Sequence, residues 1–369
     1  MQEGNKAGVG EQKTIVDFIG PSLSLGEDVS TAKSLKANRK AACFQGQTHG
    51  HKGFLVKRSD AKSMLAHDTT GTLAQVLHPY MIANELVGRK QSEPQRYVID
   101  FQGLSLLEAE EYPALFTQVK NKVLPSRKAT AEKESARNKL ALEKNPDAKV
   151  NVHHANFLKN WWHLSYGRED MIGVLEKLPR YIVCGRVTKR PIFAFLDSAI
   201  RPNDALQVFA YDDDYSFGIL QSSIHWQWFV ARCSTLKADP RYTSNTVWDS
   251  FPWPQKPTKP AVARIAEAAV AFRILRSQLA HKHNRSLRDL YRSLELPGKN
   301  PLKDAQERLD KEVRSAYEMS ETADALQFLL KLNSKLSAAE SAGETVRSAG
   351  IPAYIKERES LVSTDCIKA

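Results

Sequence analysis

Long apolar runs are missing from this 369-residue sequence. None approaches the roughly 18 residues a membrane-spanning helix needs. The first nine residues, Met1 to Val9, lack the apolar core of a secretory signal. Cysteine is scarce: Cys43, Cys184, Cys233 and Cys366 are scattered, with no CxxC spacing. This argues against a disulfide-stapled secreted scaffold, and the thiols are expected to stay reduced in a cytoplasmic protein. No Cys/His quartet has zinc-ligand spacing. His49, His51, His153 and His154 read as loop histidines. A Walker phosphate loop, an HExxH pair and a GxSxG elbow are all absent.

Apolar residues make up 42% of the chain, enough for a globular core, and two or three domains are expected at this length. The formal net charge is +11, and its position is informative. Residues 1–119 are neutral, with 13 basic and 13 acidic side chains. Residues 120–179 hold 12 basic against 7 acidic, and residues 255–369 hold 20 against 15. Residues 180–254 are nearly balanced, 8 against 7. A basic excess favours a polyanionic partner such as DNA, though mildly basic proteins without one are common.

Residues 1–41 are polar, with one short apolar run at Ile15 to Ile19, and read as a tail or linker. Residues 42–56 place two apolar pieces around a Gly/His turn, which predicts a strand pair. Short helices are expected over 60–66 and 71–90, punctuated by Pro79. Arg96 to Phe101 is a strand by its β-branched and aromatic content. Ser105 caps a helix running to Lys122, with Glu108 completing a capping box and Pro113 splitting or kinking it. Residues 127–150 are charged with no face to bury, which predicts a solvated helix or an insertion. A helix is expected over 168–178, then strands over 180–187, 191–197 and 206–210. Residues 218–232 form an aromatic-rich helix. Trp161, Trp162, Trp226 and Trp228 read as core rather than stacking platforms. From Lys259 onward the spacing is helical: 261–279, 287–294, 302–317 and 324–338.

Two signatures of amino-methylating enzymes are also absent. Gly8-Val9-Gly10 follows no strand, so no Gly-rich loop is placed to hold S-adenosylmethionine. Asn145-Pro146-Asp147 and Asn300-Pro301-Leu302 lack the second proline and the aromatic residue that hold a flipped adenine. Asp212-Asp213-Asp214 invites a magnesium reading. Further acids and a lysine are missing, so a turn with an aspartate capping the next helix is the preferred reading over a metal-dependent nuclease.

Five segments resemble MmeI-type (type IIL) restriction–modification and phage-defence DNA methyltransferases. They are ACFQGQTHGHKGFLV (42–56), RYVIDFQGLSLLEAEEYPALF (96–116), the run from Trp161 to Asp197, VFAYDDDYSFGILQSSIHWQWF (208–229) and RYTSNTVWDSFPWP (241–254). The helical end, with IPAY and LVSTDCI, is similar too. The resemblance implies an α+β protein: a mixed β/α target-recognition domain over 42–256, with a charged insertion at 127–156, and an α-helical C-terminal domain over 259–369. It implies double-stranded DNA as partner. The family's catalytic domain, which uses S-adenosylmethionine to methylate adenine N6, is expected upstream or on a separate chain, with no cofactor in this one. An inactive remnant or an interaction subunit is the alternative. Candidate DNA contacts are Arg186, Lys189 and Arg190 in a GRVTKR turn; Arg241, Tyr242 and Asn245 in a polar loop; Gln221, Ser222 and His225 at a helix start; and Arg168, for which an ion pair with Glu169 or Asp170 is equally expected. Catalytic and metal residues are not expected.

Overall fold

The computed structural model describes residues 29–39, 42–236 and 239–369. The Gly8-Val9-Gly10 and Ile15 to Ile19 segments lie outside the described residues. The chain first forms β1 (Cys43–Gln45), β2 (Leu55–Lys57), α1 (Arg58–His67), β3 (Leu77–Met81), α2 (Ala83–Gly88), β4 (Arg96–Ile99), α3 (Leu106–Glu110), α4 (Pro113–Lys144), α5 (His153–Lys159) and α6 (Glu169–Leu175). It continues through β5 (Arg180–Gly185), β6 (Ala194–Asp197), β7 (Arg201–Pro202), β8 (Leu206–Phe209), α7 (Asp214–Gln221), α8 (Ser223–Arg232), β9 (Ser234–Leu236) and β10 (Asp239–Arg241). Four helices finish it: α9 (Lys259–Lys282), α10 (Leu287–Ser293), α11 (Pro301–Ala316) and α12 (Ala325–Ser341). The α+β class and the helical C-terminal part are as expected. Among the described residues no helix is long and apolar enough to cross a membrane.

Two four-stranded sheets carry the first half, in the orders β1-β8-β5-β6 and β2-β4-β3-β7. All pairings are antiparallel except β3 with β7. The expected pairing of the two apolar pieces in 42–56 is therefore corrected. β1 joins β8 and β2 joins β4, so the QGQTHGHKG loop between them crosses from one sheet to the other. Residues 77–81 are a strand, not a helix. Pro79 is tolerated because β7 pairs only with Tyr80 and Met81, leaving that side of Pro79 without a strand.

Local signals acted as expected at Ser105, whose side chain and that of Glu108 close a capping box, and at Pro113, which opens α4. α4 then runs 32 residues, through the stretch expected to have no buried face. It has one, made of polar groups. Arg127 donates to the carbonyls of Phe157 and Asn160, both at 3.0 Å, and lies over the Phe54 and Phe157 rings. Glu134 accepts from the His154 and Ala155 amides, which open α5. The aromatic helix over 218–232 is two helices. Ser222, at φ −62° and ψ 153°, ends α7 and caps α8 with its side chain.

One core unites the sheet β1-β8-β5-β6 with the C-terminal helices. Phe193, Phe209, Trp228, Trp248 and Trp253 pack with Ile265 of α9, Leu309 of α11 and Leu329 of α12. At Gly218 a Cβ would sit 2.6 Å from Ile265 Cγ2, so glycine sets how closely α7 and α9 approach. Residues 29–39 also dock on this core: Leu35 is buried and the Asn38 side chain donates to the carbonyls of Trp248 and Phe251. At the far end, Ile367 pairs with Leu196 of β6. A second core, with Phe54, Phe101, Phe116 and Trp161, lies between the other sheet and α4.

Candidate nucleic-acid interface

Five loops meet at one end of the sheet β1-β8-β5-β6, tied by backbone hydrogen bonds. Just beyond β5, the Arg186 amide donates to the Ala205 carbonyl at 2.9 Å, and the Arg186 carbonyl accepts from Tyr242 at 2.8 Å. Val187 bridges Arg241, and the Thr188 amide donates to the Pro240 carbonyl. The Lys189 carbonyl accepts from Trp226 Nε1. Arg190 lies over the same Trp226 ring, 4.5 Å from its centroid, and over Tyr291 at 5.4 Å. On the other flank, Asp204 and Gln47 are joined through the Asp204 amide, and Thr48 exchanges both backbone bonds with Tyr166. Gln47 Nε2 holds the Gly167 carbonyl, next to Arg168.

The fold thus brings Arg168, Arg186, Lys189, Arg190 and Arg241 from distant sequence positions onto one connected strip. Lys189 and Asn245 are exposed, and the four arginines are partly exposed. Among the described residues none of these five cations is in a salt bridge. Unpaired guanidinium and ammonium groups on a surface strip are free to bind phosphate oxygens or the acceptor edges of guanine.

Arg168 is held in a costly conformation. Its φ of +58° is in the left-handed region, uncommon for a residue with a Cβ. Its guanidinium lies 5.4 Å from the ring centroid of Tyr166, which is exposed, and its Nε has no hydrogen-bond partner. Arg168 is in no salt bridge with Glu169 or Asp170, the alternative expected for it, and Gln102 Nε2 donates to the Glu169 carboxylate at 2.6 Å. Beneath lies a polar floor that the sequence did not single out. Gln47 is fully buried and donates to Asp100 at 2.7 Å, and the Gln102 amide donates to the same carboxylate. Burial raises the Asp100 carboxyl above its ordinary range, opposed by those bonds. Gly46 is required in this loop, because a Cβ would come within 2.2 Å of the Asn203 carbonyl oxygen.

Four expected contacts belong to the interior. Gln221 accepts from the Tyr291 hydroxyl and donates to Gln306. Ser222 is the helix cap. His225 bonds the Leu220 carbonyl and the Tyr242 hydroxyl, and burial lowers its pKa to about 4, so it is neutral near pH 7. Tyr242 stacks on Phe229 at 5.4 Å. All four are buried, Gln221, Ser222 and His225 where α7 meets α8 and Tyr242 in the loop packed against them. Of the tryptophans, Trp161 and Trp228 are core, while Trp162 and Trp226 are half-buried.

The aspartate triplet is structural. Asp213 caps α7 by accepting from the Ser216 amide at 2.7 Å. Asp214 is buried between Arg180 and Arg273. Asp212 faces Arg358 at 3.6 Å. Among the described residues no group of three or more His, Cys, Asp or Glu could hold a metal ion.

Residues 190–255 match the family model described as MmeI, target recognition domain. A 131-residue stretch is 32% identical to DNA methyltransferase A of Bacillus subtilis (strain 168), covering 34% of this chain and 14% of that protein. The fold is similar to that in the structure of the type IIL restriction-modification enzyme MmeI in complex with DNA, with a TM-score of 0.65 at 19% identity. That match covers 89% of this chain and 40% of the other, so the chain spans well under half the length of either protein.

Proposed function

We propose that this chain, which carries an MmeI-type target recognition domain, reads a specific sequence in double-stranded DNA for an adenine-N6 methyltransferase of a restriction–modification or phage-defence system. The observation that carries the reading is the strip that joins Arg168, Arg186, Lys189, Arg190 and Arg241, none of them in a salt bridge among the described residues. Residues 190–255, the matched stretch, contribute Arg190, Arg241 and Asn245 to it. Lys189 and Arg190 sit on a turn and suit phosphate oxygens, which position a duplex without reading it. Arg186 and Arg241 are anchored through their own backbones by the Tyr242 and Val187 pairings, a rigidity that suits base readout. Methyl transfer and S-adenosylmethionine are assigned to a separate catalytic domain, joined to this chain or encoded apart from it.

The test is duplex binding by fluorescence anisotropy across a salt series. Each cation that contacts a phosphate contributes roughly 0.9 to the slope of log affinity against log salt. Lys189→Ala and Arg190→Ala are expected to lower the slope by about one each, equally for every duplex. Arg241→Ala is expected to cost about 1–3 kcal/mol on the preferred sequence and little on others. Unchanged slopes in Lys189→Ala and Arg190→Ala, with unaltered sequence preference in Arg241→Ala, would remove the strip from the interface.

A further inference from the structure

A second feature lies across Tyr291 from the strip. A cavity of about 530 Å³ opens between α9, the edge of β6, the 90–92 turn and the C-terminal segment. Lys90, Arg273, Arg276, Ser277, His281 and Asp365 are among its lining residues. Its charges do not balance. Asp214 and Asp365 each pair with both Arg180 and Arg273, so two carboxylates face two guanidiniums. Arg276, 6% exposed, has no carboxylate partner. It donates only to the Phe193 carbonyl at 2.7 Å and the Tyr291 hydroxyl at 3.2 Å. Arg273, 4% exposed, has an Nη1 with no hydrogen-bond partner at all. Lys90 and His281 are exposed at the rim, and neither is in a salt bridge among the described residues.

Burying a cation without a counter-anion is unfavourable. Arg273 and Arg276 are spaced i, i+3 on one helix face, so the unpartnered Nη1 of Arg273 lies beside a second guanidinium that has no counter-anion, a pair suited to a phosphate. We infer that this cavity binds a phosphate group, with Arg273 and Arg276 as its floor and Lys90 at its mouth. The volume falls in the range of small-molecule sites and suits a mononucleotide. A DNA backbone phosphate supplies the same chemistry, because Arg190, at the end of the strip, lies on the ring whose hydroxyl holds Arg276. The inference does not depend on sequence-specific recognition, and free phosphate tests it alone.

The experiment is thermal melting of the full chain in phosphate and in AMP, against chloride of equal ionic strength. A saturable rise in melting temperature with phosphate and AMP, absent with chloride, is expected. Ser277→Asp places a carboxylate in the lining of the cavity, one helical turn from Arg273. It should raise the melting temperature without ligand and weaken AMP binding at least tenfold. Lys90→Glu, an exposed change unlinked to folding, should weaken it similarly. Equal shifts in chloride, or AMP binding unaltered in both variants, would overturn the site. Displacement of labelled AMP by a short duplex would assign the phosphate to DNA; no displacement would assign it to a free nucleotide.

Discussion

The three adjacent aspartates give the sharpest test of the structural reasoning, because identical side chains should differ in effect by several kcal/mol. Asp214 has 3% of its side chain exposed, between Arg180 at 2% and Arg273 at 3%. Its carboxylate also accepts from the Ser363 amide at 2.7 Å and the Ser363 hydroxyl at 2.9 Å. It therefore ties β5, α7, α9 and the C-terminal segment together. Asp214→Asn leaves two buried guanidiniums sharing a single carboxylate, Asp365. Breaking a buried ion pair by removing one partner costs about 3–5 kcal/mol. Asp213→Ala removes a helix cap and should cost about 1 kcal/mol. Asp212→Asn removes only a 3.6 Å pairing to Arg358, itself 57% exposed, and should cost under about 1 kcal/mol. Urea denaturation of the three variants, followed by tryptophan fluorescence, measures the gradient. A destabilisation by Asp214→Asn as small as that of Asp212→Asn would refute the network. A shared metal site would instead give three similar losses and sensitivity to chelator.

Other expectations follow from buried groups. His225 has its pKa lowered from 6.5 to about 4 by burial. A depressed histidine contributes stability that is full above pH 6.5 and lost as pH falls toward 4, about 3 kcal/mol in all. The stability of His225→Leu relative to the native chain should therefore rise across that window, read by urea melts at several pH values. Asp213 has the opposite sign, because burial raises its pKa to about 6. Its penalty is relieved as pH falls from 6 toward 4, so Asp213→Asn should lose ground relative to the native chain. Arg127→Met should cost about 2–3 kcal/mol through two orphaned carbonyls, and hydrogen exchange should speed over residues 153–160 rather than throughout. Gly46→Ala should destabilise the 45–50 loop and weaken duplex binding, since the Asn203 backbone must move.

What was legible in the sequence was local. Ser105 with Glu108 specifies a helix start within four residues, and Pro113 specifies the next. The helices after Lys259 follow from apolar spacing alone. Pairings set by distant partners were not legible. Cys43 to Gln45 pairs with a strand more than 160 residues away, so proximity suggested the wrong neighbour. The buried face of α4 went unseen because its groups, Arg127 and Glu134, are charged and their partners are backbone atoms of α5. Gln221 and His225 were read as surface groups for the same reason: only the fold supplies Tyr291, Gln306 and Tyr242 to satisfy them. The strip of cations was partly legible, because GRVTKR and RYTSN stand out as polar turns. That they meet, and that Arg168 joins them through Thr48 and Tyr166, depends on the crossing of residues 46–51 between the sheets.

The central claim is sequence-specific recognition of duplex DNA, and selection from a random-core duplex library tests it most directly. The purified chain, at moderate salt, should enrich one short motif containing an adenine, and Arg241→Ala should relax preference within it. Weak, salt-sensitive retention with no enriched motif, from native chain and variant alike, would contradict the claim and leave only nonspecific attraction to phosphate.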